Sequence, residues 1–208
     1  MKNQFNNMQK TASALLIKLS NILSNVLNPL FSLLIFFIYF AKEKMETTEA
    51  FKNLLWMVIL VIIPIFGWIF WNVKTGRYTN MDVSDRKQRN SLYLFNVFIV
   101  SIYIAFLYFT QQNFDLILII IFVMALMLIM HFSNFFIKSS MHTSFNVFVS
   151  ALFFSLNIYF GLFWLFLTIL VGISRVILKR HTVKEVIMGA SIATVVSFIY
   201  LYFNIQNQ

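Results

Sequence analysis

The sequence contains no cysteine, only two prolines and five glycines, and few charged residues. Without cysteine no disulfide framework can form, and the redox compartment cannot be inferred from thiol usage. Charged side chains make up 11% of the 208 residues, whereas 60% are hydrophobic and 26 residues are Phe. This composition excludes an ordinary soluble domain and predicts that most of the chain lies in a lipid bilayer.

Acidic residues are scarcer than basic ones, with seven Asp and Glu against 16 Lys and Arg and a net charge of +9. In a soluble protein this excess would suggest nucleic acid as a partner. Here the basic residues lie in short loops between apolar runs, so the expected partners are membrane lipids and a phosphate-bearing substrate. No nucleic acid is expected.

The length limits the number of membrane crossings. A transmembrane helix needs about 20 residues, so this chain has room for about six or seven. We therefore predict an all-α, polytopic membrane bundle of six or seven transmembrane helices, forming a single integral-membrane domain over residues 1–208. No removable signal peptide is expected, because no small-residue cleavage site follows the first apolar stretch.

The apolar runs indicate where the crossings lie. Residues 1–28 combine a polar tail with an amphipathic segment suited to the membrane interface, and Asn28-Pro29 interrupts them before a helix that runs to about Ala41. This region is either one kinked span or a surface helix followed by a span. A charged loop is expected over 42–52, followed by crossings at about 54–73, 91–110 and 114–132, two short ones within 143–173, and a last one at 186–203.

This count puts three polar segments on the same side of the membrane, at 74–90, 138–142 and 175–185. Ten of the 16 Lys and Arg residues lie in these segments. We expect them to face one another in a single site.

The third segment has the spacing of a phosphoryl-transfer site. Ser174-Arg175 is followed by five residues, then His181, three more residues and Glu185. If a helix starts by His181, Glu185 lies one turn further on the same face and can fix the imidazole tautomer that leaves the other nitrogen nucleophilic. Arg175 offers a planar fork of donors that suits a phosphate.

Together the three segments resemble the type 2 phosphatidic acid phosphatase superfamily of membrane lipid phosphatases. Its pattern is K-x6-R-P, then P-S-G-H, then S-R-x5-H-x3-D, and the resemblance spans roughly residues 82–185. The third motif matches except that Glu185 replaces Asp, and the second keeps Ser140 and His142 but lacks Pro and Gly. In the first, Asn90 replaces Pro, and if Arg89 is the motif arginine the lysine position falls on Asp82.

The resemblance implies a role for each matching residue. His181 would attack phosphorus and form a phosphohistidine, Glu185 would orient it, and His142 would protonate the leaving group. The phosphate would be held by a further set: Arg86, Arg89, Ser140 and Arg175, with Lys87 or Lys138 in place of the missing lysine. The substrate would be a lipid phosphate or diphosphate of the phosphatidic acid, phosphatidylglycerol phosphate or prenyl diphosphate class. No cofactor and no metal are implied.

Two other functions remain open at the sequence level. The chain could be a non-catalytic lipid-phosphate binding or transport protein on the same bundle, or a small transporter whose intramembrane Arg and His mark an ion path. Retention of both histidines and a carboxylate favours the enzyme, since binding alone would need only basic groups. The resemblance implies a multi-pass protein of a cell membrane, with a bacterial inner membrane expected. Sidedness is open, because the positive-inside rule favours the cytoplasm while bacterial relatives favour the outer face.

Several charged residues also have simpler interpretations. Arg180 and its neighbouring lysines fit interfacial anchors that reach the headgroups. Asp82 and Asp85 fit local partners for Arg86 and Arg89. His131 fits no motif position.

Overall fold

The computed structural model describes the backbone of residues 2–206 and the side chains of residues 13–206. That part of the chain is helical and contains no strand. Nine α-helices follow one another: α1 Lys2–Val26, α2 Pro29–Lys44, α3 Thr47–Met57, α4 Ile63–Lys74, α5 Arg86–Phe109, α6 Phe114–Ser133, α7 Met141–Phe154, α8 Ile158–Ile177 and α9 Val183–Gln206.

The helices form the predicted polytopic bundle. Five uninterrupted apolar helical stretches are long enough to cross a membrane, and the bent α1–α2 pair makes up to six. The short helix α7, with 14 residues, is the most enclosed element of the bundle. Large apolar side chains on the outer faces of the other helices are exposed, as expected where lipid replaces water as the solvent.

The break between α1 and α2 lies where Asn28-Pro29 predicted it. The Asn28 side chain accepts a hydrogen bond from the Phe31 amide and caps α2, while Pro29 occupies the first helical position, where its missing N–H costs nothing. The two helices are bent by 55°. The chain is thus two helices over this region, and α1 packs against α8.

The charged loop predicted over 42–52 is wrong. Helix α2 continues to Lys44 and α3 begins at Thr47, so that only two residues connect them. An α-helix satisfies its own backbone hydrogen bonds both inside and outside the apolar layer of the membrane. A helix can therefore continue beyond that layer, and the charged side chains of this region lie at the ends of α2 and α3. Helices α3 and α4 then form one continuous span through a π-helical stretch at Val58–Ile62, which ends two residues before Pro64.

One asparagine ties α7 to the rest of the bundle. The Asn146 amide nitrogen donates to the carbonyl oxygen of Leu27, and its oxygen accepts from the Ser32 hydroxyl and the Trp164 indole N–H. These contacts join the α1–α2 break, α7 and α8 at one buried point. They fix the position of the α7 N-terminus, which carries His142.

Candidate active site

The three polar segments meet at one end of the bundle, as the crossing count predicted. They are the connections 75–85, 134–140 and 178–182, which lie between the helices bounded above. Arg89 Nη1 donates to the Ser139 carbonyl oxygen at 3.0 Å, and the Ser140 amide donates to the Glu185 carbonyl oxygen at 3.0 Å. Residues far apart in sequence therefore surround one site.

His181 and Glu185 are paired at the centre of this site. His181 is buried, and its Nδ1 lies 2.9 Å from Glu185 Oε2. Because a carboxylate only accepts, Nδ1 carries the proton and Nε2 keeps its lone pair. This is the tautomer that a nucleophilic imidazole requires.

The pairing arises from a capping box at the start of α9. The Glu185 amide donates to Thr182 Oγ1 at 3.3 Å, and the Thr182 amide donates back to Glu185 Oε2 at 3.0 Å. This reciprocal pattern is typical of Thr-x-x-Glu at a helix N-terminus. His181 therefore precedes α9, which begins at Val183, and the expectation of a helix starting by His181 is corrected. Glu rather than Asp at 185 suits the capping box.

Arg89 holds the other nitrogen of His181. Its Nη2 lies 3.2 Å from His181 Nε2, and its Nε donates to the Val83 carbonyl oxygen at 3.0 Å. Arg89 is 2% exposed, so these charge-assisted bonds form away from bulk solvent. Burial and nearby positive charges, Arg89 first among them, lower the pKa of His181 to about 2. The imidazole is consequently neutral at physiological pH.

Arg175 points into the same site from α8. It is fully buried, and its Nη1 donates to Ser24 Oγ of α1 at 2.8 Å while Nη2 donates to Asp82 Oδ2 at 2.5 Å. The Arg175 Nε–H has no hydrogen-bond partner among the described residues. A buried polar donor without a partner is rare in proteins, and a guanidinium N–H suits an anion.

Asp82 lies in the site, although the sequence indicated only local pairing with Arg86 and Arg89 for it. Its carboxylate lies 3.1 Å from Arg180 Nη1 and 3.5 Å from His142 Nε2, in addition to its contact with Arg175. We call His142, Arg175 and Arg180 the anion cradle. Burial alone would raise the pKa of Asp82, but the contacts with His142, Arg175 and Arg180 outweigh it and hold that pKa well below its usual range.

Two simpler interpretations are thereby corrected. Asp82 does not balance Arg86 and Arg89 locally, because it pairs across the fold, and Arg180 is part of the site rather than only an interfacial anchor. Asp85 instead caps α5, accepting from the Lys87 and Gln88 amides.

The backbone directly after Asp82 is strained. Val83 has a positive φ of 46° and is 1% exposed. A left-handed backbone is an outlier for a β-branched residue and costs about 1–3 kcal/mol. The surrounding contacts compensate for it, since the Val83 carbonyl accepts from Arg89 and its amide donates to the Asn80 carbonyl oxygen.

Lys138 lies beside the cluster, whereas Lys87 is at the exposed start of α5. Lys138 Nζ donates to the Arg180 carbonyl oxygen at 3.0 Å. Burial and the charge of Arg89 lower its pKa. Of the two lysines considered for the missing motif position, Lys138 is the one adjacent to the site.

Two other predicted phosphate ligands make structural contacts here. Arg86 is exposed, and its Nε donates to the Asn134 carbonyl oxygen. Ser140 is the N-cap of α7, accepting from the Thr143 amide, and its own amide is bonded to the Glu185 carbonyl oxygen. Ser140 therefore positions His142, the second residue of α7, and its backbone donor is not free for phosphate.

An apolar cavity of about 230 Å³ opens beside the site. Asp82, Arg89 and His142 line its polar end, and Leu33, Val100 and Val123 are among the apolar residues further in. A smaller cavity of about 60 Å³ continues deeper and shares several of these apolar residues. The site thus joins an anion-binding end to an interior suited to hydrocarbon.

Comparison with known proteins shows a family that part of the chain resembles. No curated protein and no solved structure matches the chain. The PAP2 superfamily matches residues 130–208, the part of the chain that carries His142, Arg175, His181 and Glu185. The resemblance to the type 2 phosphatidic acid phosphatase superfamily that the motifs predicted is therefore confirmed, with the match to PAP2 lying over residues 130–208.

Proposed function

We propose that this protein is a membrane phosphatase that hydrolyses a lipid phosphate or diphosphate through a phosphohistidine on His181, without a metal. The observation that carries the proposal is the buried, neutral imidazole with Nδ1 held by Glu185 and Nε2 facing Arg89. An imidazole oriented by a carboxylate in this way has the arrangement of an activated nucleophile.

The first step is attack on phosphorus. His181 Nε2 forms a bond to phosphorus as the bond from phosphorus to the ester oxygen breaks. His142, which has to be doubly protonated in the complex with substrate, gives a proton to the departing oxygen. Arg89 Nη2 contacts His181 Nε2 in the free protein. When the substrate binds, Arg89 Nη2 has to donate to a phosphoryl oxygen instead, and this change frees the lone pair of His181 Nε2 for attack. Arg175 and Arg180 neutralise the spread-out charge, which is the larger part of phosphoryl-transfer catalysis.

The second step releases the enzyme. Water gives a proton to His142 and attacks phosphorus, the phosphorus–nitrogen bond breaks, and orthophosphate leaves. Glu185 accepts a hydrogen bond from Nδ1 throughout and stabilises the positive charge that develops on the ring. The cycle returns both histidines to their starting states.

The cavity supports a lipid as the substrate. Its apolar interior begins next to Asp82 and His142, so a phosphate in the site leaves its attached chain facing hydrocarbon rather than water. Among the described residues, no group of three or more His, Cys, Asp or Glu suited to a metal ion occurs. Metal independence remains a prediction.

The test is phosphate release from a panel of lipid phosphates by the purified protein in excess chelator. We expect turnover in wild type, none in His181→Ala, and a phosphorylated protein that is labile in acid and stable in base. For His142→Ala we expect a large loss with an alkyl phosphate and a small one with an activated aryl phosphate, whose leaving group needs no proton. Activity that requires added magnesium or manganese would overturn the proposal.

The alternative function is a non-catalytic lipid-phosphate binding or transport protein. Asp82 at the motif lysine position favours it, since a carboxylate there reduces the positive charge of the site. In that case the same lipid phosphates bind with no release of orthophosphate, and His181→Ala leaves binding intact.

A further inference from the structure

We propose that Asp82 is a resident competitor for the phosphate position, which every phosphate has to displace before it can bind. The inference rests on the proposed function for its substrate class, a phosphate with an apolar chain. In this role Asp82 lowers the affinity of the site for every phosphate, so that only a phosphate with additional favourable contacts occupies it.

The contacts of the carboxylate are those that a phosphoryl group would make. Oδ2 accepts from Arg175 Nη2 and Ser84 Oγ and lies 3.1 Å from Arg180 Nη1, while Oδ1 faces His142 Nε2. Arginine forks bind carboxylate and phosphate oxygens with the same geometry. One anion therefore occupies Arg175 Nη2 and Arg180 Nη1, which two anions cannot share.

Charge makes the competition exclusive. Asp82 is ionised at neutral pH, because the cradle lowers its pKa, and a phosphate in the same position brings further negative charge. Like charges at contact distance in a partly buried site repel strongly. Binding therefore requires the 75–85 connection to withdraw the carboxylate.

Orthophosphate and a lipid phosphate meet this requirement differently. Both lose the same factor in affinity to the displaced carboxylate, but only the lipid gains from the cavity, where each buried methylene contributes about fourfold. A cavity of 150 Å³ holds benzene, so about 230 Å³ accommodates roughly nine carbons. Asp82 thus keeps free orthophosphate and small soluble esters out at ordinary concentrations, while a phosphate with a chain still binds.

The first experiment measures orthophosphate binding to the full-length protein in phosphatidylcholine nanodiscs by calorimetry. Asp82→Asn removes the charge at nearly constant shape, and we expect binding at least tenfold tighter than in wild type. Asp85→Asn is the matched control, because it makes the same charge change at the α5 cap, where Asn is also a good cap. The control is expected to change binding less than twofold.

The second experiment replaces orthophosphate with decyl phosphate. Both ligands have to displace a competitor, so Asp82→Asn should strengthen the binding of orthophosphate and of decyl phosphate by the same factor. Weaker or unchanged binding in Asp82→Asn, or an equal gain in Asp85→Asn, would overturn the proposal. Ser84→Ala loosens the carboxylate without changing any charge, and its expected gain of two- to fivefold tests the same point if Asp82→Asn does not fold.

These experiments distinguish failure of the competitor role of Asp82 from failure of the proposed phosphatase activity. If Asp82→Asn binds orthophosphate more tightly but the protein hydrolyses no lipid phosphate, the proposed phosphatase activity is wrong and the competitor role of Asp82 is supported. If the wild type hydrolyses a lipid phosphate but Asp82→Asn binds orthophosphate no more tightly, the phosphatase activity is supported and the competitor role is wrong.

Discussion

A single carboxylate oxygen at residue 185 serves both the fold and the proposed chemistry. Glu185 Oε2 accepts from the Thr182 amide and from His181 Nδ1, so it caps α9 and sets the imidazole tautomer together. The cap requires a side chain that reaches back from the third helical position, which Glu and Gln do. The residue that departs from the family pattern is therefore explained by its local structure.

Two variants separate these functions. Glu185→Gln keeps a capping side chain but loses the charge that stabilises the imidazolium, so we expect turnover to fall roughly 10²–10⁴-fold with little change in melting temperature. Thr182→Ala removes the hydroxyl that accepts from the Glu185 amide and keeps the carboxylate, so it should cost about 1 kcal/mol of stability and little turnover. Both are measured at equal amounts of folded protein. Wild-type turnover in Glu185→Gln would show that another group orients His181.

The pKa of His181 predicts how stability responds to acid. The folded pKa is about 2, well below the ordinary value of 6.5. The unfolded chain therefore binds a proton below pH 6.5 that the folded protein does not, so stability is fully present above pH 6.5 and falls as the pH decreases toward 2. This group contributes a loss of at most about 1.4 kcal/mol per pH unit in that window.

The measurement is the melting temperature of wild type and His181→Asn between pH 7 and pH 4. The variant is expected to be less stable at pH 7 and to show a shallower decline, because it has no imidazole to protonate. The slope is the readout, not the absolute stability. Parallel declines would contradict the lowered pKa.

Helix packing at the site depends on one glycine of α9. A Cβ on Gly189 would lie 2.7 Å from Ser144 Oγ and 2.8 Å from the carbonyl oxygen of Ser140, and backbone atoms cannot easily move. The absence of a side chain there lets α9 approach the N-terminus of α7. This contact sets the distance between His142 and the His181–Glu185 pair.

Gly189→Ala should therefore push the α7 N-terminus away from α9. We expect about 1–3 kcal/mol of destabilisation and a clear loss of turnover, despite the better helix propensity of Ala. Gly67→Ala in α4 is the control, since nothing lies within 4 Å of a Cβ at that position. Thermal unfolding and phosphate release are compared for both variants, and equal behaviour would rule out the steric role of Gly189.

At the level of helices, the sequence predicted the crossings better than their ends. The break at Asn28-Pro29 and the short connection between the crossings at 91–110 and 114–132 were predicted because Pro, Asn and polar pairs act locally. The loop at 42–52 was wrong because hydropathy marks the apolar layer and not the end of the helix. An even number of crossings separates the three polar segments, so the sequence predicted that they lie on the same side of the membrane.

The pairing within the site was only partly predictable. His181 and Glu185 are four residues apart, so their contact follows from local geometry. Asp82 and Arg175 are 93 residues apart, and no local pattern predicts that contact. Val83, which follows Asp82, has a positive φ, and a Val residue gives no indication of such a backbone conformation in the sequence.

For the whole molecule, the interior cavity predicts a limit on chain length. Val123 lines both the larger and the smaller cavity, so an aromatic ring there would shorten the space available to a chain. Val123→Phe should weaken binding of decyl phosphate at least tenfold while changing orthophosphate binding less than twofold. Ile121→Phe, on the exposed face of the same helix, is the control and should alter neither. Equal effects on both ligands would show that the chain does not enter the cavity.

The spacing of the site's partners along the chain bears on how the protein is made. Arg175 is 151 residues from Ser24, and His181 is 92 residues from Arg89. While the polypeptide is being synthesised, α1 to α7 enter the bilayer before Arg175 and Arg180, the two arginines that pair with Asp82, have been made. Insertion of α8 and α9 is therefore the event that assembles the site. A ribosome-bound chain that ends before α8 should retain its early helices and bind no phosphate.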